Sequence, residues 1–147
     1  MAGPQLFALP LAPFERDALE AVLRKAGLPS DDVKAPEILF WRFEKDDMPV
    51  GFGGFEVCGE DALLRSLVTL PPLRRRGIGA AMVAVIETEA LARQLRGLYV
   101  VTTDCAAYFS HLGYVPCRRE DVPAAVRAST QFASGRQAGA AVMVKPL

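Results

Sequence analysis

The stretch that decides the fold of this chain is Ala62-Leu63-Leu64-Arg65-Ser66-Leu67-Val68-Thr69-Leu70-Pro71-Pro72-Leu73-Arg74-Arg75-Arg76-Gly77-Ile78-Gly79. Its pattern is that of an apolar strand, a proline-marked break, a basic glycine turn and the start of an alanine-rich amphipathic helix. The first amides of a helix lack intrahelical acceptors, and the helix start carries a partial positive charge. Because three consecutive arginines flank this start, the pattern predicts a binding site for an anion such as a cofactor phosphate.

This turn matches neither of the common nucleotide motifs. A P-loop requires the spacing G-x-x-x-x-G-K-[ST], and no Lys followed by Ser or Thr lies nearby. A dinucleotide fingerprint requires a third glycine at position 82, where this chain has Met82, and the segment after the next strand offers no acidic residue for a ribose. The turn is therefore predicted to hold a different phosphorylated ligand.

Arg74, Gly77 and Gly79 form the pattern that remains, R-x-x-G-x-G, directly after a strand and at the start of a helix. The pattern resembles the cofactor loop of the GNAT superfamily of acyl-CoA-dependent N-acyltransferases. The resemblance continues in residues 98–103, which are similar to the family's fifth strand, and in residues 107–114, which are similar to its next helix and turn. It covers residues 38–115 in the expected order and implies acetyl-CoA as the co-substrate.

The resemblance also implies a set of cofactor-binding residues. In GNAT proteins the loop wraps the pyrophosphate of coenzyme A, and the backbone at the C-terminal end of the fourth strand binds the pantetheine arm and polarises the thioester. One further position lies on the helix after the fifth strand. The positions that match in this chain are Leu67, Val68, Thr69, Arg74, Arg75, Arg76, Gly77, Ile78, Gly79, Ala80 and Phe109.

Hydrophobic periodicity predicts an α+β (mixed α/β) architecture. The predicted strands are residues 5–9, 37–44, 50–58, 62–70, 98–103 and 140–145, and helices are predicted from Pro13 to Ala26, after Gly79 and near residues 121–128. The first helix is predicted to have an apolar face of Leu19, Val22, Leu23 and Ala26, and the second an apolar stripe of Met82, Ile86 and Ala90. Tight turns make an antiparallel meander of the strands from 37 to 70, and residues 62–103 form a strand-helix-strand crossover with a parallel pair. The expected GNAT fold is a central mixed twisted sheet of about six to seven strands with helices on both faces.

Length and charge limit the domain organisation and the partners. With 147 residues and 51% hydrophobic content, residues 1–147 are predicted to form a single domain with a substantial core. Lys plus Arg and Asp plus Glu balance at 17 each, which argues against nucleic acid or an acidic membrane surface as a partner. The three arginines are therefore expected to act as a local ligand device, with Arg75 the one that faces water.

The N-terminus and the cysteines favour a reducing, cytoplasmic location. Residues 1–13 carry three prolines and no basic start, a pattern that fits neither a secretory signal nor a transit peptide. No apolar stretch approaches the ~20 residues of a membrane span. Cys58, Cys105 and Cys117 form no C-x-x-C, and with His111 as the single histidine no metal site is expected. A homodimer is left open.

Arg65 and Ser66 interrupt a strand that is otherwise apolar and therefore expected to be covered on both faces. A guanidinium there requires an anion, either Glu56 on the neighbouring strand or the carboxylate of a substrate. Glu56 is also the candidate general base, because its glycine-rich strand would let a ligand approach closely. The alternatives are a structural ion pair for Arg65 and a solvent-facing carboxylate for Glu56.

The candidate acid departs from the family pattern. Many GNAT members have a tyrosine at the position that Phe109 occupies here, and Tyr108 lies about 100° away around the helix. Tyr108 is the candidate proton donor for the leaving thiolate, with water or a packing role as the alternatives. Thr102 and Thr103 end the fifth strand and are candidate contacts for a polar acceptor, or else a strand-forming pair in which Thr103, or Asp104 after it, caps the next helix.

Residues 62–67, the doublet at 102–103 and the tail from Pro123 to Lys145 resemble the branch of small GNAT proteins associated with arsenic-resistance operons and similar to N-acetylglutamate synthase. This branch implies acetyl transfer from acetyl-CoA to the primary amine of a small amino-acid-like acceptor, including organoarsenical or phosphinothricin-like compounds, with Arg65 holding its carboxylate. Arg136-Gln137 stands where its members commonly have Cys-Pro. The alternatives are a protein or peptide N-acetyltransferase and a non-catalytic acyl-CoA-binding module.

Overall fold

The computed structural model describes residues 6–27, 38–70, 77–129 and 139–147. Within these ranges the strands are β1 (Phe7–Pro10), β2 (Ile38–Lys45), β3 (Met48–Cys58), β4 (Asp61–Thr69), β5 (Gly97–Thr102), β6 (Val115–Pro116) and β7 (Ala141–Pro146). The helices are α1 (Arg16–Lys25), α2 (Ile78–Ala92), α3 (Ala106–His111) and α4 (Ala124–Arg127), and the 3-10 turns are Pro13–Glu15 and Arg119–Asp121.

The seven strands form one mixed sheet in the order β1-β2-β3-β4-β5-β7-β6. β1 is antiparallel to β2, β4 is parallel to β5, and β7 is antiparallel to both β5 and β6. The parallel pair follows from the α2 crossover, because two parallel strands in one sheet need a long connection. The predicted mixed α/β architecture is confirmed.

The chain divides into two compact units, and the first comprises residues 1–55 and 65–89. One of its cores lies between α1 and the sheet, where Leu19 and Leu23 are fully buried against apolar residues of β2, β3 and β4. These strand residues are Ile38, Phe40, Phe52 and Val68. Arg16 at the start of α1 donates a hydrogen bond from Nη2 to the Ile38 carbonyl at 2.8 Å, which fixes the helix on β2.

On the other face of the first unit, α2 packs against glycines of β3. A Cβ atom at Gly51 would lie 2.7 Å from the sulfur of Met82, and one at Gly53 would lie 3.0 Å from Cδ1 of Ile86. Gly51 and Gly53 lie on the opposite face of β3 from the Phe52 side chain, because successive residues of a strand face opposite sides of the sheet. The first unit therefore has helices on both faces of its strands, as predicted.

The second unit comprises residues 56–64 and 90–147. β7 pairs along the full length of β5, from Gly97 opposite Pro146 to Thr102 opposite Ala141. A second core covers one face of these strands. Its buried residues are Cys58, Leu63, Val122, Val126 and Val142. The helical segment between residues 119 and 127 therefore closes this face.

Several predicted elements differ from the observed ones at their ends. The helix predicted from Pro13 begins as a 3-10 turn and becomes α-helical only at Arg16. Ala26, predicted on its apolar face, is exposed, because α1 ends at Lys25. The short strand β6 was not predicted, since two residues carry no periodicity. In the parts of the chain that the structure describes, no helix combines the length and apolar character needed to cross a membrane.

Candidate functional site

The backbone of β4 turns sharply at Ser66. Its φ of +59° lies in the left-handed region, which side chains other than glycine rarely adopt, and it stands in the middle of a strand. Arg65, just before it, is buried with 6% of its surface exposed, whereas Leu67 and Thr69 after it are half-buried. A residue out of extended conformation disrupts the local ladder and re-aims its neighbours. The sequence indicated this site only as a polar interruption of an apolar run.

The two ends of β4 have different surroundings. At its N-terminal end, Ala62 and Leu63 pair in parallel with Leu98 and Tyr99 of β5. At its C-terminal end, the amide of Leu70 donates to the Val50 carbonyl of β3 at 2.9 Å. The predicted cofactor backbone, residues 67–69, lies at this C-terminal end, after the break at Ser66 and before the loop that leads to α2.

The start of α2 is open within the described part of the chain. Gly77 adopts a φ of +76°, and its carbonyl accepts the amide of Ala81 at 3.2 Å, the first bond of the helix. The amides of residues 78–80 precede that bond and find no acceptor among the residues that the structure describes. Nothing lies within 4 Å of a Cβ built on Gly77. Arg74, Arg75 and Arg76 lie outside the described residues.

Glu56 on β3 is buried, with 6% of its surface exposed, so the alternative of a solvent-facing carboxylate is wrong. The reason given for a close ligand approach is also wrong. The space over Gly51 and Gly53 is filled by side chains of α2, and a Cβ at Gly54 would collide with the Leu39 carbonyl. The glycines of β3 serve close packing of the helix and the neighbouring strand.

Thr102, at the end of β5, has a structural use for its hydroxyl. The side chain is buried, and its Oγ1 accepts the amide hydrogen of Cys105 at 2.9 Å. Thr103 is exposed. Thr103 or Asp104 was expected to cap the start of α3. The N-cap residue is instead Cys105, whose amide is bound by the Thr102 hydroxyl. The hydroxyl hydrogen of Thr102 still has the freedom to be donated elsewhere.

Tyr108 and Phe109 occupy different environments on α3. Tyr108 is 40% exposed, and burial of the rest of the ring, followed by the nearby Cys105 thiol, raises the pKa of its phenol. Phe109 is buried and packs edge-on against Tyr108 and Tyr114, with ring centroids 5.4 and 5.5 Å apart. Tyr108 thus presents a protonated hydroxyl at the surface of the helix, while Phe109 anchors the helix in the core.

Cys105 is exposed overall, but partial desolvation of its thiol, followed by the neighbouring carboxylate of Asp104, raises the pKa of that thiol. A raised pKa keeps a thiol protonated and unreactive at neutral pH. Cys105 is therefore a poor nucleophile. Among the described residues, no cluster of histidine, cysteine, aspartate or glutamate has the arrangement needed to hold a metal ion.

A family model for the acetyltransferase (GNAT) domain matches residues 36–116, which run from β2 to β6. The chain belongs to the GNAT family. The match includes the break at Ser66, the open start of α2 and the helix that carries Tyr108. The matched residues therefore include those on which the sequence resemblance to the family rested.

Among proteins similar to this GNAT chain is the amino-acid acetyltransferase of Ectopseudomonas mendocina (strain ymp), 42% identical over 68 residues, which are 46% of this chain and 15% of that protein. N-acetylglutamate synthase from Neisseria gonorrhoeae, complexed with coenzyme A and N-acetyl-glutamate, superposes with a TM-score of 0.78 at 16% identity over 99% of this chain. This chain spans 36% of that synthase.

A similar structure of comparable length is Rv2747 from Mycobacterium tuberculosis, in complex with CoA and NLQ. It superposes with a TM-score of 0.73 at 19% identity and covers 98% of this chain and 99% of its own. At this level of identity, the two solved structures show that the fold is shared.

Proposed function

We propose that this GNAT chain is an acetyl-CoA-dependent N-acetyltransferase that acts on the primary amine of a small, amino-acid-like acceptor. The observation that carries the proposal is the open start of α2 at Gly77, directly within the family's cofactor motif. Backbone amides at a helix start bind phosphate groups, so the amides of residues 78–80 are proposed to bind the pyrophosphate. Gly79 has no side chain that would hinder a close approach to the backbone.

The reaction we propose is a direct attack in a ternary complex. The neutral amine of the acceptor attacks the thioester carbonyl, so that a C–N bond forms and the C–S bond breaks. The backbone of residues 67–69, re-aimed by the break at Ser66, would bind the pantetheine arm and polarise the carbonyl. Glu56 would accept the ammonium proton, directly or through water. Tyr108, whose phenol is protonated at neutral pH, would donate a proton to the leaving thiolate.

The acceptor class rests on Arg65 and on the relatives. Arg65 is buried on β4, and a guanidinium matches a carboxylate in charge and planar geometry, so Arg65 is proposed to bind the carboxylate of the acceptor. The similar proteins include an amino-acid acetyltransferase and a synthase solved with N-acetyl-glutamate. Ser66, Thr102 and Thr103 are proposed as further acceptor contacts. Organoarsenical and phosphinothricin-like amines are proposed as further acceptors of the same class. We also propose a cytoplasmic location, and that residues 1–147 act as a single domain, alone or as a homodimer.

The proposal is tested by following free thiol release from acetyl-CoA against a panel of amino acids, their arsenic and phosphorus analogues, and peptides with a free N-terminus. Thiol release with a carboxylate-bearing amine, and none with the matching amine that lacks the carboxylate, is the expected result. Release only with peptides would favour a protein acetyltransferase instead. Binding of coenzyme A without release by any acceptor would favour a non-catalytic module.

Gly79→Glu is expected to abolish binding of coenzyme A while the fold is retained, because a carboxylate at the helix start repels the pyrophosphate and fills its space. Gly139→Glu is the matched control, since Gly139 is exposed and has nothing within 4 Å of a Cβ built on it. Calorimetric titration with coenzyme A measures both. Equal affinity of the two variants would remove the basis of the cofactor assignment.

A further inference from the structure

Lys145 on β7 reaches across to the end of α3. Its Nζ donates a hydrogen bond to the Leu112 carbonyl at 3.0 Å and lies 5.7 Å from the centroid of the Tyr114 ring. The side chain is half-buried, and its stem lies over Gly113, where a built Cβ would be 3.4 Å from Cε of the lysine. Lys145 therefore contacts three consecutive residues that follow α3.

These three residues end α3 in a Schellman motif. Gly113 adopts a φ of +95°, its amide donates to Ser110 at 3.1 Å, and the amide of Tyr114 donates to Phe109 at 3.0 Å. The apolar contact that accompanies such a motif is the edge-on packing of Tyr114 on Phe109. The Leu112 carbonyl is a helix-end acceptor that this motif leaves for another donor. Lys145 supplies that donor and its charge at the negative end of the helix.

The strand that carries Lys145 is fixed on both sides. β7 pairs with β5, where Lys145 lies opposite Leu98, and with β6, where Val144 lies opposite Val115. The amide of Leu147 also donates to the Arg96 carbonyl at 2.9 Å, which holds the end of the chain. The ammonium is thus presented from a rigid part of the sheet.

We infer that Lys145 is a positioning residue for catalysis, which sets the orientation of Tyr108 through the end of α3. The contacts run from Lys145 to Tyr114, from Tyr114 to Phe109 and from Phe109 to Tyr108, all within the second unit. A helix of six residues has few bonds of its own, so its orientation depends on what holds its ends. The expected effect on the rate of acetyl transfer rests on the proposed function, whereas the anchoring of α3 by Lys145 does not.

Lys145→Met tests the inference, because methionine keeps an apolar stem and loses the donor and the charge. The rate of thiol release at saturation is expected to fall about tenfold, while KM for acetyl-CoA stays within about twofold, since the acid is misplaced and the cofactor loop is intact. Lys145→Arg is expected to restore most of the rate, because a guanidinium also donates to a carbonyl and stacks on an aromatic ring. Lys45→Met, at an exposed lysine at the end of β2, is the control.

Amide hydrogen exchange of Gly113 and Tyr114, measured without acetyl-CoA, gives a second readout. Exchange is expected to quicken about tenfold in Lys145→Met and to return towards the wild-type rate in Lys145→Arg, because these amides close the motif that Lys145 covers. Unchanged exchange in Lys145→Met, or equal loss of rate in both variants, would overturn the inference. If the wild-type protein released no thiol with any acceptor, the proposed function would fail, while the exchange measurement would still decide whether Lys145 holds α3.

Discussion

Glu56 and Arg65 are charged residues with nearly all of their surface removed from water. Burial of a charge costs several kcal/mol unless other groups compensate, so chains rarely retain such residues without a use for them. Apolar side chains of similar size pack at buried positions at a lower cost in free energy. For Arg65, this cost supports binding of a carboxylate as much as it supports a structural ion pair. For Glu56, the choice between base and structural carboxylate is open to a direct kinetic test.

Glu56→Gln keeps the shape of the side chain and removes its ability to accept a proton. Loss of a general base lowers rates by about 10²-fold or more, and the deficit is expected to be largest at low pH, where the acceptor amine is protonated. As the pH rises, solvent deprotonates the amine and the two rates converge. The pH profile of thiol release measures this, with Glu60→Gln in the exposed turn as the control. A wild-type profile for Glu56→Gln would exclude Glu56 as the base.

Asp61 at the start of β4 gives a pH dependence of stability. Burial, followed by the neighbouring Glu60, raises the pKa of its carboxyl above the unfolded value of 3.8. A raised folded pKa means that its stabilising contribution is complete below pH 3.8 and is lost as the pH rises through the folded pKa. Asp61→Asn removes this loss and keeps an oxygen for the Gly97 amide.

Urea unfolding of Asp61→Asn is therefore expected to give a higher free energy of unfolding than wild type at pH 7, by up to about 1 kcal/mol. The difference should vanish as the pH falls towards 3.8, the unfolded value. Glu120→Gln, at an exposed carboxylate, is the control and should change the free energy by less than ~0.5 kcal/mol. A variant less stable than wild type at pH 7 would mean that the charged form is favoured in the folded state.

At the scale of elements, β4 contains Ser66 in a left-handed conformation that glycine would adopt without strain. Ser66→Gly is expected to leave stability nearly unchanged, because relief of about 1 kcal/mol of strain is offset by the entropy of glycine in the unfolded chain. Ser66→Val is expected to cost about 2 kcal/mol, since a branched side chain is poorly accommodated at positive φ. Denaturant unfolding and thiol release measure both variants. If valine retained full activity, the break at Ser66 would not be needed to aim residues 67–69.

The sequence was informative about long periodic elements and uninformative about local geometry. The stripe of Met82, Ile86 and Ala90 was predicted from its spacing and is buried as expected. The positive φ of Ser66 was not predicted, because serine has no special preference for that conformation and the surrounding sheet imposes it. The glycines of β3 were assigned to ligand approach, whereas helix packing fills their space. Whether a ligand or a side chain fills the space beside a glycine depends on tertiary contacts, and the residues next to that glycine in the sequence do not determine them.

At the scale of the whole molecule, the order of strands and helices carried the fold prediction. The meander, the crossover and the closing strand each leave a pattern of 2.0 or 3.6 residues, and chain topology allows few ways to combine them. Six of the seven strands of the mixed sheet were predicted from these patterns, and the two-residue β6 was not. The choice of acceptor depends instead on which side chains line its binding site, and no pattern along the chain reports that. The single-domain organisation stays a prediction.

Cofactor binding should appear as stabilisation of the whole molecule. A ligand that binds only the folded state adds RT ln(1 + [L]/Kd), which is about 2.7 kcal/mol at a hundredfold excess over Kd. Coenzyme A is therefore expected to raise the midpoint of thermal unfolding by several degrees. The shift should shrink with added salt, because salt screens the attraction between the diphosphate and the arginines of the basic turn, where coenzyme A is proposed to bind. Changing Arg74 and Arg76 together to Glu should remove it, and Gly139→Glu should retain it. A shift of the same size in the double variant would mean that coenzyme A binds elsewhere than at the start of α2.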